Sequence, residues 1–106
     1  MASKIVMVRY KTKPDRAGEN AQYIEKVFAE LRQRSPAGLR YASFKLSDGV
    51  SFVHIAAIDT ADGSNPLTQS AAFQSFLAGI KERCEEQPVA VELSAVGSYR
   101  LFDWQA

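Results

Sequence analysis

The sequence predicts an α+β fold in which a four-stranded antiparallel sheet carries two helices on one face, with elements in the order βαββαβ. Three observations predict it. Two segments repeat apolar residues at spacings of three and four, and four others are rich in β-branched residues without that spacing. The dipeptide Asp48-Gly49 joins the middle two of those four. Two helical crossovers around a central hairpin, kept right-handed, close most economically as such a sheet. At 106 residues, 46% of them hydrophobic, the chain fills one core, so residues 1–106 are read as a single domain.

Residues 4–11 are apolar and β-branched on both parities, which predicts a strand buried on both faces. Pro14 and Asp15 break the chain, and from Ala21 onward Ile24, Val27, Phe28 and Leu31 form the apolar stripe of a first helix. It stops at Ser35-Pro36-Ala37-Gly38, because a residue preceding proline is pushed out of the helical region. Segments 39–47 and 50–59 form the hairpin, with Asp48-Gly49 as a two-residue type I′ turn. Paired residues then sum to 97: Ser43 faces His54, Tyr41 faces Ala56, Lys45 faces Phe52 and Leu39 faces Ile58. One hairpin face is apolar, and the other carries Tyr41, Ser43, Lys45 and His54. Residues 60–70 read as a loop with one helical turn after Pro66, and Ser70 is placed to cap the next helix. Phe73, Phe76, Leu77, Ile80 and Cys84 give that helix its stripe, and Pro88 ends it. A long last strand is expected from Val89 to Phe102, with a bend at Gly97. The whole is a ferredoxin-like topology.

Such a sheet has one face covered by helices, yet strands one and three are apolar on both. A second copy of the chain is the simplest cover, giving a homodimer. A last strand of about 14 residues, well beyond the usual five or six, also argues for reaching a partner with Tyr99 to Trp104.

Thirteen Lys and Arg against 12 Asp and Glu, interspersed, point away from nucleic acid and from anionic membranes. No apolar run approaches spanning length, and Met1-Ala2-Ser3-Lys4 shows no leader pattern, so a cytoplasmic location is expected. Cys84 is the single cysteine and His54 the single histidine, which leaves no disulfide and no metal-ligand set. No phosphate-binding, dinucleotide or nucleophile-elbow motif occurs, and no cofactor is expected. The oxygens of Asp62-Gly63-Ser64-Asn65-Pro66 lack calcium-loop spacing.

Thr12-Lys13-Pro14-Asp15, Pro36-Ala37-Gly38-Leu39, the strand from Phe52 to Asp59, and Ser70 with Phe73 and Phe76 together resemble the antibiotic biosynthesis monooxygenase-like family of the dimeric α+β barrel superfamily. The resemblance covers nearly the whole chain. It implies a dimeric barrel with a cavity between sheet and helices. It also implies an activity drawn from cofactor-independent oxygenation of aromatics, haem degradation or isomerisation of small metabolites, or no activity at all. Haem degradation is disfavoured, because the chain lacks an Asn in residues 4–11 and a His on the second helix, and has Ile58 at the Trp position. Asn65 and Arg9 are partial counterparts of the oxygenase substrate-binding set.

On the residues themselves, His54 is the candidate base: an imidazole titrating near neutrality suits proton transfer, and Ser43 and Tyr41 are placed to orient it or to bind substrate. A satisfied interior histidine is the plain alternative. Arg9, in an apolar strand, would bind a substrate anion or stabilise an enolate if it shares that face; otherwise it meets Glu92 or solvent. Tyr10 and Tyr41 would donate to a substrate carbonyl or simply pack. Cys84 reads as a small buried hydrophobe. Three functions follow: a cofactor-independent monooxygenase or isomerase, a non-catalytic binder of a small apolar ligand, and a structural homodimer.

Overall fold

The computed structural model describes residues 4–101. Strand β1 spans Lys4–Thr12, helix α1 Ala17–Arg34, β2 Leu39–Lys45, β3 Ser51–Ile58, α2 Ala71–Ala78, the single-turn α3 Ile80–Arg83 and β4 Cys84–Leu93. Short 3-10 turns at Pro14–Arg16 and Pro66–Gln69 precede α1 and α2. The sheet order is β2-β3-β1-β4, antiparallel throughout, as expected for the ferredoxin-like fold.

Local chemistry sets the helix boundaries. At the end of α1, Ser35 takes a left-handed φ of 46° and its N–H returns to Leu31 O, while Pro36 forbids a further turn. The Oγ of Ser70 accepts the Phe73 N–H at the start of α2. Glu30 of α1 accepts the Ala72 N–H beside it, tying the two helices together.

Strand parity then divides the sheet. On β1, Val6, Val8 and Tyr10 share a face with Phe52, His54 and Ala56 of β3 and with Tyr41 and Ser43 of β2. Against this face pack Val27 of α1, Leu67, Phe76 of α2 and Ile80 of α3, all buried. The other face holds Ile5, Met7 and Arg9 of β1, Ala42 and Phe44 of β2, Val53 and Ile55 of β3, and Val89 and Val91 of β4.

The hairpin register is the expected one, with Ser43 opposite His54 and Lys45 opposite Phe52. Its turn is not. Asp48 does not have the positive φ that a type I′ turn demands there, and only Gly49 is left-handed, at φ 78°. Instead Leu46 N–H bonds Ser51 O at 2.9 Å, enclosing Ser47 to Val50. Asp48 accepts from the Val50 and Ser51 N–H groups and from the Ser51 hydroxyl.

Two expectations for the second half need correction. Gly79 ends α2, and the chain leaves helical geometry at Cys84, which opens β4 instead of lying on a helix. Pro88 sits inside β4, tolerated because that strand is at the sheet edge. The strand ends at Leu93 after 10 residues, so it is not overlong; Ser94 to Leu101 is exposed and irregular. The proposed reach of Phe102 to Trp104 towards a partner lies outside the described residues.

Candidate functional site

Between the sheet and α2 lies a cavity of about 170 Å³. Its walls are mostly hydrocarbon: Val6 and Val8 from β1, Ala56 and Ile58 from β3, Leu67, and Phe73, Phe76, Leu77 and Ile80 from the helices, with Pro88 from β4. Four polar side chains also line it, namely Tyr10, Tyr41, His54 and Asn65. Sheet parity brings the first three together, because the register stacks their strands side by side. Asn65 enters from the loop before α2, where its Oδ1 accepts the Leu67 N–H at 3.0 Å.

Both His54 nitrogens are engaged. Nε2 lies 2.7 Å from the Tyr10 hydroxyl, and Nδ1 lies 2.8 Å from both the Tyr41 hydroxyl and the Ser43 Oγ. The ring stacks on Tyr10 with centroids 5.3 Å apart and touches Phe76 at 5.4 Å. Behind Tyr10 the network goes deeper: Asn20 Nδ2 donates to the Tyr10 hydroxyl at 2.8 Å, and Arg83 Nε donates to Asn20 Oδ1 at 3.0 Å. Among the described residues no buried side-chain nitrogen or oxygen lacks a partner.

Burial governs the protonation of this cluster. It pushes the His54 conjugate acid down to about 4 from 6.5, so the ring is neutral at pH 7, and the expected near-neutral titration does not hold. Burial likewise pushes the Tyr41 phenol up to about 12, against the opposing hydrogen bond of Ser43. Tyr10 moves further in the same direction for the same reason, with the Asn20 hydrogen bond opposing. Both phenols therefore stay protonated.

The structure thus brings together His54, Tyr10, Tyr41, Ser43 and Asn65. Ser43 touches His54 but faces an outer groove with Phe28 and Phe44, and Tyr41 stands between that groove and the cavity. Arg9 is not brought in: it pairs with Val53 and Val89 on the opposite sheet face and is exposed. Odd and even positions of a strand point to opposite faces, and His54 is opposite Val8. Glu92, considered as the Arg9 partner, lies opposite Val6.

Asn20 and Arg83 are the members that sequence reasoning missed. The signal was present: Asn20 stands four and seven residues before Ile24 and Val27 on the apolar stripe of α1, and Arg83 follows Phe76 and Ile80 by seven and three. A polar residue on an apolar stripe calls for a buried partner, and here each is the other's.

No protein-family model and no curated protein matches the chain. Solved structures do match. Rv0793 from Mycobacterium tuberculosis superposes with a TM-score of 0.74 over 92% of this chain and 98% of its own, at 15% identity. A structure described as an antibiotic biosynthesis monooxygenase gives 0.72 over 89% and 99%, at 18% identity. SnoaB, a cofactor-independent oxygenase from Streptomyces nogalater crystallised as a mutant, gives 0.67 over 92% and 97%, at 13% identity. At these identities the likeness is one of fold: the ferredoxin-like α+β architecture of antibiotic biosynthesis monooxygenase-like proteins.

Proposed function

We propose that the chain is a cofactor-independent small-molecule enzyme of the antibiotic biosynthesis monooxygenase-like type, one domain over residues 1–106, acting on a single-ring aromatic held in the cavity. The observation that carries this reading is an apolar cavity whose polar lining is gathered into one hydrogen-bonded cluster plus Asn65. That is the usual architecture of a small-molecule site. Its volume of about 170 Å³ suits one ring, since an apolar cavity of about 150 Å³ takes up benzene. The fold shared with SnoaB supports oxygenation in particular. In that chemistry a phenol and O2 give a quinone and water, with O2 as the oxidant.

His54 enters this reading as a relay and positioning group. Its nitrogens are occupied, so a ligand proton reaches the ring only through the Tyr10 hydroxyl, which lines the cavity and bonds Nε2. Holding that proton on the ring at pH 7 costs about 4 kcal/mol, given a pKa of about 4. The same saturation favours a second reading, a non-catalytic binder. Oxygen uptake with a panel of single-ring phenols, alongside calorimetric binding, separates them. Binding with uptake that falls at least tenfold in Tyr41→Phe supports the enzyme, binding without uptake supports the binder, and no binding to any phenol contradicts both.

The partner we propose is a second copy seated on the open sheet face. Val89 at 57% exposure, Val91 at 43% and Phe44 at 42% crowd that face with apolar surface. Light scattering should give twice 11.7 kDa, and Val91→Lys should return the mass to one chain. A wild-type mass of 11.7 kDa contradicts the pairing.

A further inference from the structure

The polar cluster at the cavity wall ends, on its inner side, in a buried cation. Arg83 is 1% exposed. Besides Asn20 it donates through Nη2 to Phe76 O at 2.7 Å, and its guanidinium lies 4.5 Å from the Tyr23 ring centre. Its partners are thus an amide, a carbonyl and aromatic faces. A guanidinium has donors only and keeps its proton, so this end of the network has a fixed direction.

That direction propagates. Asn20 must turn Oδ1 to Arg83, which leaves its Nδ2 to donate to the Tyr10 oxygen. Tyr10 therefore accepts from Asn20, and its own hydrogen has the His54 Nε2 as acceptor. Nε2 is then the bare nitrogen, and the neutral ring carries its proton on Nδ1. Nδ1–H donates into the Tyr41 and Ser43 oxygens. Tyr41 cannot point its hydrogen back at Nδ1. As the cluster's outermost cavity-lining hydroxyl, it has a hydrogen free to turn to a ligand, with Ser43 donating behind it. Asn65, whose Oδ1 is held by Leu67, likewise has its Nδ2 left for the cavity.

We infer that Arg83, acting through Asn20, Tyr10 and His54, polarises the cavity wall into a hydrogen-bond donor surface, so that the site selects ligands through an acceptor oxygen: a carbonyl, enolate or phenolate. The inference rests on the cavity being the ligand site. Arg83 and Asn20 are positioning residues, since neither lines the cavity.

Because His54 is the only histidine, long-range proton–nitrogen NMR correlations read its tautomer without assignment ambiguity. At pH 7 the wild type should show a protonated Nδ1 and a bare Nε2; the reverse overturns the inference. Acetophenone should bind about tenfold more tightly than α-methylstyrene, its isostere with a methylene in place of the oxygen. Equal affinities overturn the donor surface while leaving the ligand site standing, and failure of both to bind overturns the site as well. Neither wild-type measurement depends on a variant folding. Asn20→Asp adds the reversal: the new carboxylate pairs with Arg83 and accepts from Tyr10, so Nε2 must become the donor. The tautomer should flip and the acetophenone preference should fall towards parity. An unchanged tautomer in that variant contradicts the relay.

Discussion

The two faces of the sheet are built from the same strands and solve opposite problems. The helix-covered face buries polar groups: His54, Tyr10 and, behind them, Asn20 and Arg83 are each no more than 5% exposed. The open face does the reverse and leaves Phe44, Val89 and Val91 exposed to solvent. A buried polar group costs several kcal/mol unless it is hydrogen-bonded, and each buried side-chain nitrogen and oxygen in the network from Arg83 to Ser43 has a partner. An exposed valine costs the isolated chain little and gains only when something covers it. The covered face therefore carries folding and the proposed ligand site, while the open face is left to the proposed partner.

Truncating one phenylalanine on each face should break this symmetry most visibly. Phe52 is 2% exposed and stacks on Tyr10, so Phe52→Ala should lower stability by about 3–5 kcal/mol in urea unfolding. Phe44→Ala should cost about 1 kcal/mol or less in the isolated chain. Similar losses at both positions would mean that the open face is already packed.

Acid should act on the covered face through His54. Its folded pKa of about 4 lies below the unfolded 6.5, so between these values the unfolded chain binds one more proton. Stability should therefore fall by about 3 kcal/mol as pH drops from 6.5 through 4, the loss being complete only below the lower value. Urea midpoints for the wild type and His54→Gln across this range isolate the contribution, and parallel profiles would refute it.

A smaller contrast lies in two glycines at the ends of β2. Both have φ of 78°, but a Cβ on Gly38 would sit 2.7 Å from Asp59 O, whereas one on Gly49 meets nothing. Gly49→Ala should cost about 1 kcal/mol from backbone strain alone, and Gly38→Ala clearly more, measured as the shift in urea midpoint.

Much of this was legible in the sequence. The hairpin register follows from centring the turn on Asp48-Gly49, and it survives although the turn has another geometry, because the wider turn is closed by Leu46 and Ser51, a pair of that same register. His54, Tyr41 and Ser43 were legible as a group for that reason. Which of Tyr10 and Arg9 shares the His54 face was not legible, since β1 is apolar on both parities and only its pairing with β3 decides the face each takes. The passage from Gly79 to Pro88 misled because Cys84 continues a helical spacing that the chain abandons at that very residue. Asn20 and Arg83 are 63 residues apart, and their meeting is a tertiary fact.

The division of labour between the two faces is tested most directly by methyl NMR during a titration with acetophenone. Saturable shifts are expected at Val6, Val8, Ile58 and Leu77, which line the cavity, and none at Ile5, Ile55 and Val91 on the opposite face. Shifts confined to the second set, or shared equally by both, would contradict that division.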